Sequence, residues 1–217
     1  FNTSMLLTHF AELATDAHAE QTPDTWLTTH ETAFVQQVQK VASGTLKAHD
    51  TQMQAYSCQL QMLRDFLNSD ALPRLNTAST VQNPILAKAI HSILPQLKTW
   101  ITRSHDNAES RTLAGISLRA AVIANTEEAV IWASETAANH TDKAIKLDAI
   151  HALGMSQHTK ARDALKSLAK NTDYLVRATA LSYLNPNAAD ERQILEAAVQ
   201  DPFVIVSETA VRKLAEK

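Results

Sequence analysis

Glycine is nearly missing from this sequence, at 3 of 217 residues, and aromatic side chains make up only 5% of it. Sheets draw on β-branched and aromatic runs joined by glycine turns, so this shortage, beside abundant Ala, Leu, Thr and Gln, predicts an all-α fold. With so few glycines the chain carries neither a G-x-S-x-G nucleophile elbow nor a glycine-rich phosphate loop. The single cysteine, Cys58, excludes an intramolecular disulfide; that fits a reducing compartment such as the cytoplasm and leaves an extracytoplasmic one open.

Charge of one sign is also lacking. The formal net charge is −3, so no global basic field draws the chain to nucleic acid or to an anionic membrane. No apolar run approaches the roughly 20 residues that cross a bilayer; the longest are short pieces such as AAVIA at 120–124. What is present is a hydrophobic content of 45%, enough for a sizeable core. The first residue is Phe1 rather than Met, so the expectation is a processed chain or a domain of a longer protein, with any leader or anchor lying upstream.

The informative feature is a repeat. IKLDAIHAL (145–153), VRATALSYL (176–184) and VSETAVRKL (206–214) superpose at offsets of 31 and 30 residues. Ile145, Val176 and Val206 coincide, as do Ala149, Ala180 and Ala210; Ile150, Leu181 and Val211; and Leu153, Leu184 and Leu214. Apolar residues at i, i+4, i+5 and i+8 form one stripe of an α-helix. ISLRAAVIA (116–124) is a weaker fourth copy, with Ile116, Ala120, Ala121 and Ala124 in the same slots.

Each of the three stronger copies is preceded by a second helical stretch, TEEAVIWASETAA, TKARDALKSLAK and ADERQILEAAVQ in turn, giving a helix pair of about 30 residues. Punctuation agrees. Asn125 with Glu128 reads as a capping box, and Asp142 and Asp173 as N-caps. Gly154 is placed as a C-terminal cap, NPN at 185–187 as a break, and Asp201-Pro202 as an N-cap followed by a first-turn proline. A single pair cannot bury such a stripe, whereas stacked pairs can.

These units resemble the HEAT-like repeat family in its short form, whose second helix typically reads D-P-x-V-R-x-x-A-A-x-A-L-G. DYLVRATALSYL, TDKAIKLDAIHALG and DPFVIVSETAVRKL carry the resemblance, which spans about residues 110–217. It implies an α-solenoid of HEAT-like helix pairs. Only Arg177 keeps the arginine that follows the apolar position, and Asp201 lies two residues farther from Val206 than the pattern has it. Those departures put inter-repeat ion pairs in question.

Residues 1–105 show no such register and are read as an N-terminal helical hairpin or bundle, with 106–217 as the repeat domain. A first helix is expected at SMLLTHFAELATDAHAE and a second start near Pro23. A long amphipathic run then leads to Leu67 through Phe34, Val38, Val41, Met53, Tyr56, Leu60 and Leu63, with Gly44 as a bend. The loop is placed at Pro73 and LNTASTVQ, Asn83 caps PILAKAIHSIL, and Pro95 divides that helix from QLKTWITR.

Catalytic constellations are not evident. The nine histidines include no H-x-x-x-H or H-E-x-x-H pair and one His-Glu dipeptide, His30-Glu31. Some HEAT-like proteins are di-iron hydroxylases built on several such pairs, and one cannot supply that site. No metal or other cofactor is expected. Cys58 reads as a packed thiol. The resemblance also embraces alkylpurine DNA glycosylases and phycobilin lyases, so an enzyme of that kind is the alternative, with a regulatory or sensory domain of a larger protein as a third. Trp26, Trp100 and Trp132 would be the stacking candidates for a glycosylase, yet each sits in apolar helical spacing and reads as core. Arg119, Arg177 and Arg212 are set against Asp148 and Glu208, a mixed surface that a duplex binder would not favour.

In HEAT-like solenoids the second helices typically line the concave, ligand-facing side. With Val176, Ala180, Leu181 and Leu184 turned inward, Ala178, Ser182 and Thr179 face out. Their counterparts are Leu147, His151 and Asp148, and Glu208, Arg212 and Thr209; Arg119 and Val122 extend the column upstream. The expectation is a non-enzymatic scaffold or adaptor. It would bind a protein partner, rather than nucleic acid or membrane, through Arg119, Leu147, Asp148, His151, Ser182, Glu208 and Arg212; oligomeric state is left open.

Overall fold

Every described element of the computed structural model is an α-helix, and the described residues are 28–29, 31–51, 84–103, 108–124 and 126–216. They divide into two compact units, one ending at Ala124 and the other beginning at Asn125. The sequence reading sets its boundary at residue 105, ahead of the helix that ends the first unit; the contacts group that helix with the residues before it.

In the first unit, α1 (Glu31–Thr51) buries Phe34, Val38, Val41 and Ala42. It runs through Gly44 unbroken, and the Thr45 hydroxyl, also buried, donates to the Val41 carbonyl at 2.9 Å. The expected bend is therefore no break in the helix. This stripe packs on α2 (Pro84–Ser92) and α3 (Leu94–Ile101), and Lys88 on α2 pairs with Glu31. Pro95 divides α2 from α3 as expected, because it occupies the first turn of α3, where a missing N–H costs nothing. Ile90, Ile93, Leu94, Leu97, Trp100 and Ile101 fill the core, against which α4 (Ala108–Ile123) sets Leu113 and Leu118. Met53, Tyr56, Cys58, Leu60, Leu63 and Leu67, like Trp26, His30, Asn83, the first expected helix, the Pro23 start and the Pro73 loop, lie outside the described residues.

The second unit is three helix pairs. They are α5 (Glu127–Asn139) with α6 (Lys143–Met155), α7 (Thr159–Leu168) with α8 (Tyr174–Leu181), and α9 (Ala189–Ala198) with α10 (Val204–Leu214). The second helices α6, α8 and α10 pack on one another in that order, and α7 packs on both α5 and α6. Ile145, Val176 and Val206 are all buried, and so are Ala149, Ala180 and Ala210, as the register requires. The small alanines let the helix backbones approach, and the larger side chains fill the space between pairs.

The register fails at one end. Ile150 and Leu181 are fully buried, but their counterpart Val211 is 53% exposed, and Leu214 is half-buried where Leu153 and Leu184 are buried. Within the described residues no further helix covers α10, so the stripe's outer edge meets solvent there.

Caps explain where the helices start. Asp142 accepts from the Ala144 N–H at 2.8 Å, and Asp173 from the Leu175 N–H at 2.9 Å, both as expected. Thr126 caps α5: its hydroxyl accepts from the Ala129 N–H, and Glu128 lies in the first turn. Asn125 itself is outside the described residues. Asp201 is not the cap of α10 and Pro202 is not its first residue, because that helix starts at Val204 with Phe203 before it. Nor does Gly154 end α6, which continues to Met155 with Ser156 as its C-cap.

Ion pairs tie successive repeats together. Arg177 donates from Nε to Asp201 Oδ2 at 2.8 Å and from Nη2 to Asp201 Oδ1 at 3.0 Å, and its Nη1 reaches the carbonyls of Asn171 and Thr172. The shifted position of Asp201 thus does not prevent an inter-repeat pair, and Asp201 Oδ1 also accepts from the Phe203 N–H at 2.9 Å, just ahead of α10. The same guanidinium lies 5.5 Å from the Phe203 ring centroid, and Phe203 stacks on Tyr174 at 4.7 Å. Hydrogen bonding from Arg177 holds the Asp201 carboxyl below the usual carboxylate range. With its folded pKa depressed, the pair stabilises the fold at neutral pH and stops doing so as pH falls through that lowered value.

Candidate functional site

The outward positions of the second helices are less alike than the inward ones. His151 on α6 and Arg212 on α10 are exposed, and Ser182, directly after α8, is half-buried; the three share one register position. Asp148 and Leu147 beside them are half-buried and Glu208 is exposed. Arg119 is half-buried on α4, in the other unit, and burial lowers its pKa.

Three residues expected on the outer face are not there. Ala178, the counterpart of Leu147 and Glu208, is buried, as are Thr209 and Val122. For Ala178 the reason is that α8, packed on both flanks by α6 and α10, exposes a narrower strip than a helix of an isolated pair would. This leaves the position shared by His151, Ser182 and Arg212 as the continuous outward column.

Sequence reasoning passed over Tyr183. Its hydroxyl is 2.6 Å from His151 Nδ1, and the two rings meet edge to face at a centroid separation of 5.7 Å. A Cβ built on Gly154 would fall 2.2 Å from the Tyr183 ring, so the glycine exists here to admit an aromatic side chain from the next repeat. The signal was available, since Tyr183 stands where the neighbouring copies carry Ala152 and Lys213. Arg162 fixes the backbone at this point by donating from Nη1 to the Tyr183 carbonyl at 2.8 Å.

Gly154→Ala should therefore cost about 1 to 3 kcal/mol by overpacking, against alanine's helix preference of about 1 kcal/mol. Denaturant unfolding reads the difference, and a variant more stable than the parent would show that Tyr183 moves aside freely.

The electrostatics are those of a mixed polar surface. Burial pushes the Asp148 carboxyl up, with His151 acting the other way, and burial also raises the Tyr183 phenol. A phenol displaced upward stays protonated at neutral pH and serves as a hydrogen-bonding group. Arg177 is engaged with Asp201 and adds nothing to an open basic face. Trp100 and Trp132 are buried in the core, where the sequence placed them. Among the described residues no group of three His, Cys, Asp or Glu side chains could hold a metal ion, and no described helix is long and apolar enough to cross a membrane.

The three pairs, with second helices in register and inter-repeat ion pairs, coincide with a match to a known family: residues 128–215 fit the family model of HEAT repeats. This segment is a run of HEAT repeats. No curated protein and no solved structure matches the chain. The matched span opens in the first turn of α5 and closes just beyond α10, so it takes in all three pairs of the second unit. HEAT repeats commonly act as protein-interaction scaffolds.

Proposed function

We propose that this protein is a non-enzymatic scaffold or adaptor, and that its HEAT repeats bind a protein partner along the outward column of His151, Ser182 and Arg212. Asp148, Leu147 and Glu208 flank that column, while Arg119, in the other unit, is a separate candidate contact. The supporting observation is a contrast within the repeat: the buried positions 145, 176 and 206 are interchangeable aliphatics, whereas 151, 182 and 212 present an imidazole, a hydroxyl and a guanidinium. Packing fixes the former; a partner's chemistry is what differing outward groups can match. The His151–Tyr183 contact presents an amphipathic aromatic edge held at both ends, the kind of group that anchors protein interfaces.

The test is comparative capture from the native host. Full-length chain and a His151→Glu, Ser182→Glu double variant serve as parallel baits, with bound proteins quantified by mass spectrometry. The expected outcome is a protein retained by the parent and depleted with the variant. Identical sets of retained proteins would remove the column as the binding site.

A further inference from the structure

Four of the five large hydrophobic side chains exposed among the described residues fall in one short stretch: Phe203, Val204, Ile205 and Val211. On α10, Val204 and Val211 lie on the side opposite the buried Val206, Thr209 and Ala210, with Ala215 just beyond the helix on the same line and Glu208 and Arg212 along one flank. This is the repeat's own stacking face. On α8, which α10 packs against, Leu181 and Ala178, the counterparts of Val211 and of Glu208 on its flank, are both buried. On α10 the face continues an established interface with nothing over it among the described residues.

The charges along its flank are self-complementary. Glu208 and Arg212 are one turn apart and both exposed, and neither has an ion-pair partner among the described residues. In an antiparallel helix pair, like flanks meet; in a parallel pair, opposite flanks meet. Antiparallel pairing of two α10 helices therefore brings Glu208 of each against Arg212 of the other, twice over, with Val211 near the two-fold axis between the pairs and Val204 at either end, level with Ala215 and Glu216 of the other copy. A parallel arrangement sets Glu208 against the flank bearing Ser207 and Leu214, which has no charge to offer.

We propose that α10 is a self-association surface and that its occupant is a second copy of this chain, docked antiparallel across a two-fold axis. The interface is isologous, joining one exposed apolar strip to itself and closing with two reciprocal Glu208–Arg212 pairs. Its apolar strip lies on the stacking face, its closing pairs share Arg212 and Glu208 with the edge of the outward column, and self-association is read without any partner, so its failure and that of the adaptor reading are distinguishable.

Sedimentation equilibrium of the full chain tests this without any partner. The expected result is a reversible monomer–dimer equilibrium in the micromolar range. Val211→Arg should weaken it about tenfold or more, and so should Glu208→Arg or Arg212→Glu alone, because each single reversal sets like charges together. The double reversal Glu208→Arg, Arg212→Glu should recover most of the parent's dimerisation. All three positions of change are exposed, so circular dichroism and melting should match the parent and separate loss of association from loss of fold. A chain that stays monomeric, a dimer indifferent to Val211→Arg, or a double reversal no better than the singles would each overturn the proposal, leaving the strip to another occupant.

Discussion

Leu181→Ala is expected to lower the unfolding free energy by about 2 to 5 kcal/mol, while Val211→Ala, at the same register position, changes it by no more than about 0.5 kcal/mol. Leu181 is fully buried on α8, between the neighbouring second helices α6 and α10, and truncating it leaves a cavity that the stacked repeats close only in part. Val211 faces solvent, and its removal loses few packing contacts at protein concentrations low enough to keep the chain monomeric. Ser182→Ala, adjacent to Leu181, belongs with the small effects. Denaturant titration of the three variants decides the matter. Equal losses at 181 and 211 would mean that the last repeat is covered in solution as the inner ones are.

Glu191→Ala is expected to cost about 3 to 5 kcal/mol, far more than removal of a surface ion pair. The Glu191 side chain is 6% exposed and sits at the junction of two repeats. It accepts from Arg162 Nε at 3.0 Å, pairs with Arg162 Nη2, and accepts from the Asn185 backbone N–H at 2.6 Å. Its loss leaves a half-buried guanidinium with the Tyr183 carbonyl alone and deprives the Asn185 N–H of its acceptor. Lys160→Ala is the control: Lys160 pairs with Glu127, both ends are half or more exposed, and solvent screening leaves the pair little effect on stability. Similar values for the two variants would show that the Glu191 carboxylate is solvated in the native state.

The repeat was legible in the sequence because burial in a stack obeys a local period. Ile145, Val176 and Val206, with the alanines four residues on, read the same from composition as from coordinates. Asp142 and Asp173 were legible as caps because a cap acts within its own turn. What escaped depends on partners distant in sequence. Asp201 looks only like a cap, yet besides accepting from the Phe203 N–H ahead of α10 its carboxylate pairs with Arg177, 24 residues away. Gly154 looks like a terminator until the Tyr183 ring is found against it. Ala178 and Val211 exchange their expected exposures for one reason. A periodic pattern states which face is apolar but not whether a neighbouring helix stands over it, and one stands over α8 but not over α10. Of the outward groups expected on the second helices, Ala178 and Thr209 are buried, while His151, Glu208 and Arg212 are exposed and Tyr183 stands against His151.

The most direct measurement of the adaptor reading is the affinity of a captured partner for two variants of the full chain, each shown by circular dichroism to be folded. One carries Asp148→Lys, His151→Glu and Arg212→Glu on the repeats; the other carries Lys40→Glu at an exposed position of α1. The account predicts that the triple variant loses about tenfold or more in affinity and that Lys40→Glu binds as the parent does. Full affinity in the triple variant together with loss in Lys40→Glu would contradict it and place recognition on the N-terminal unit.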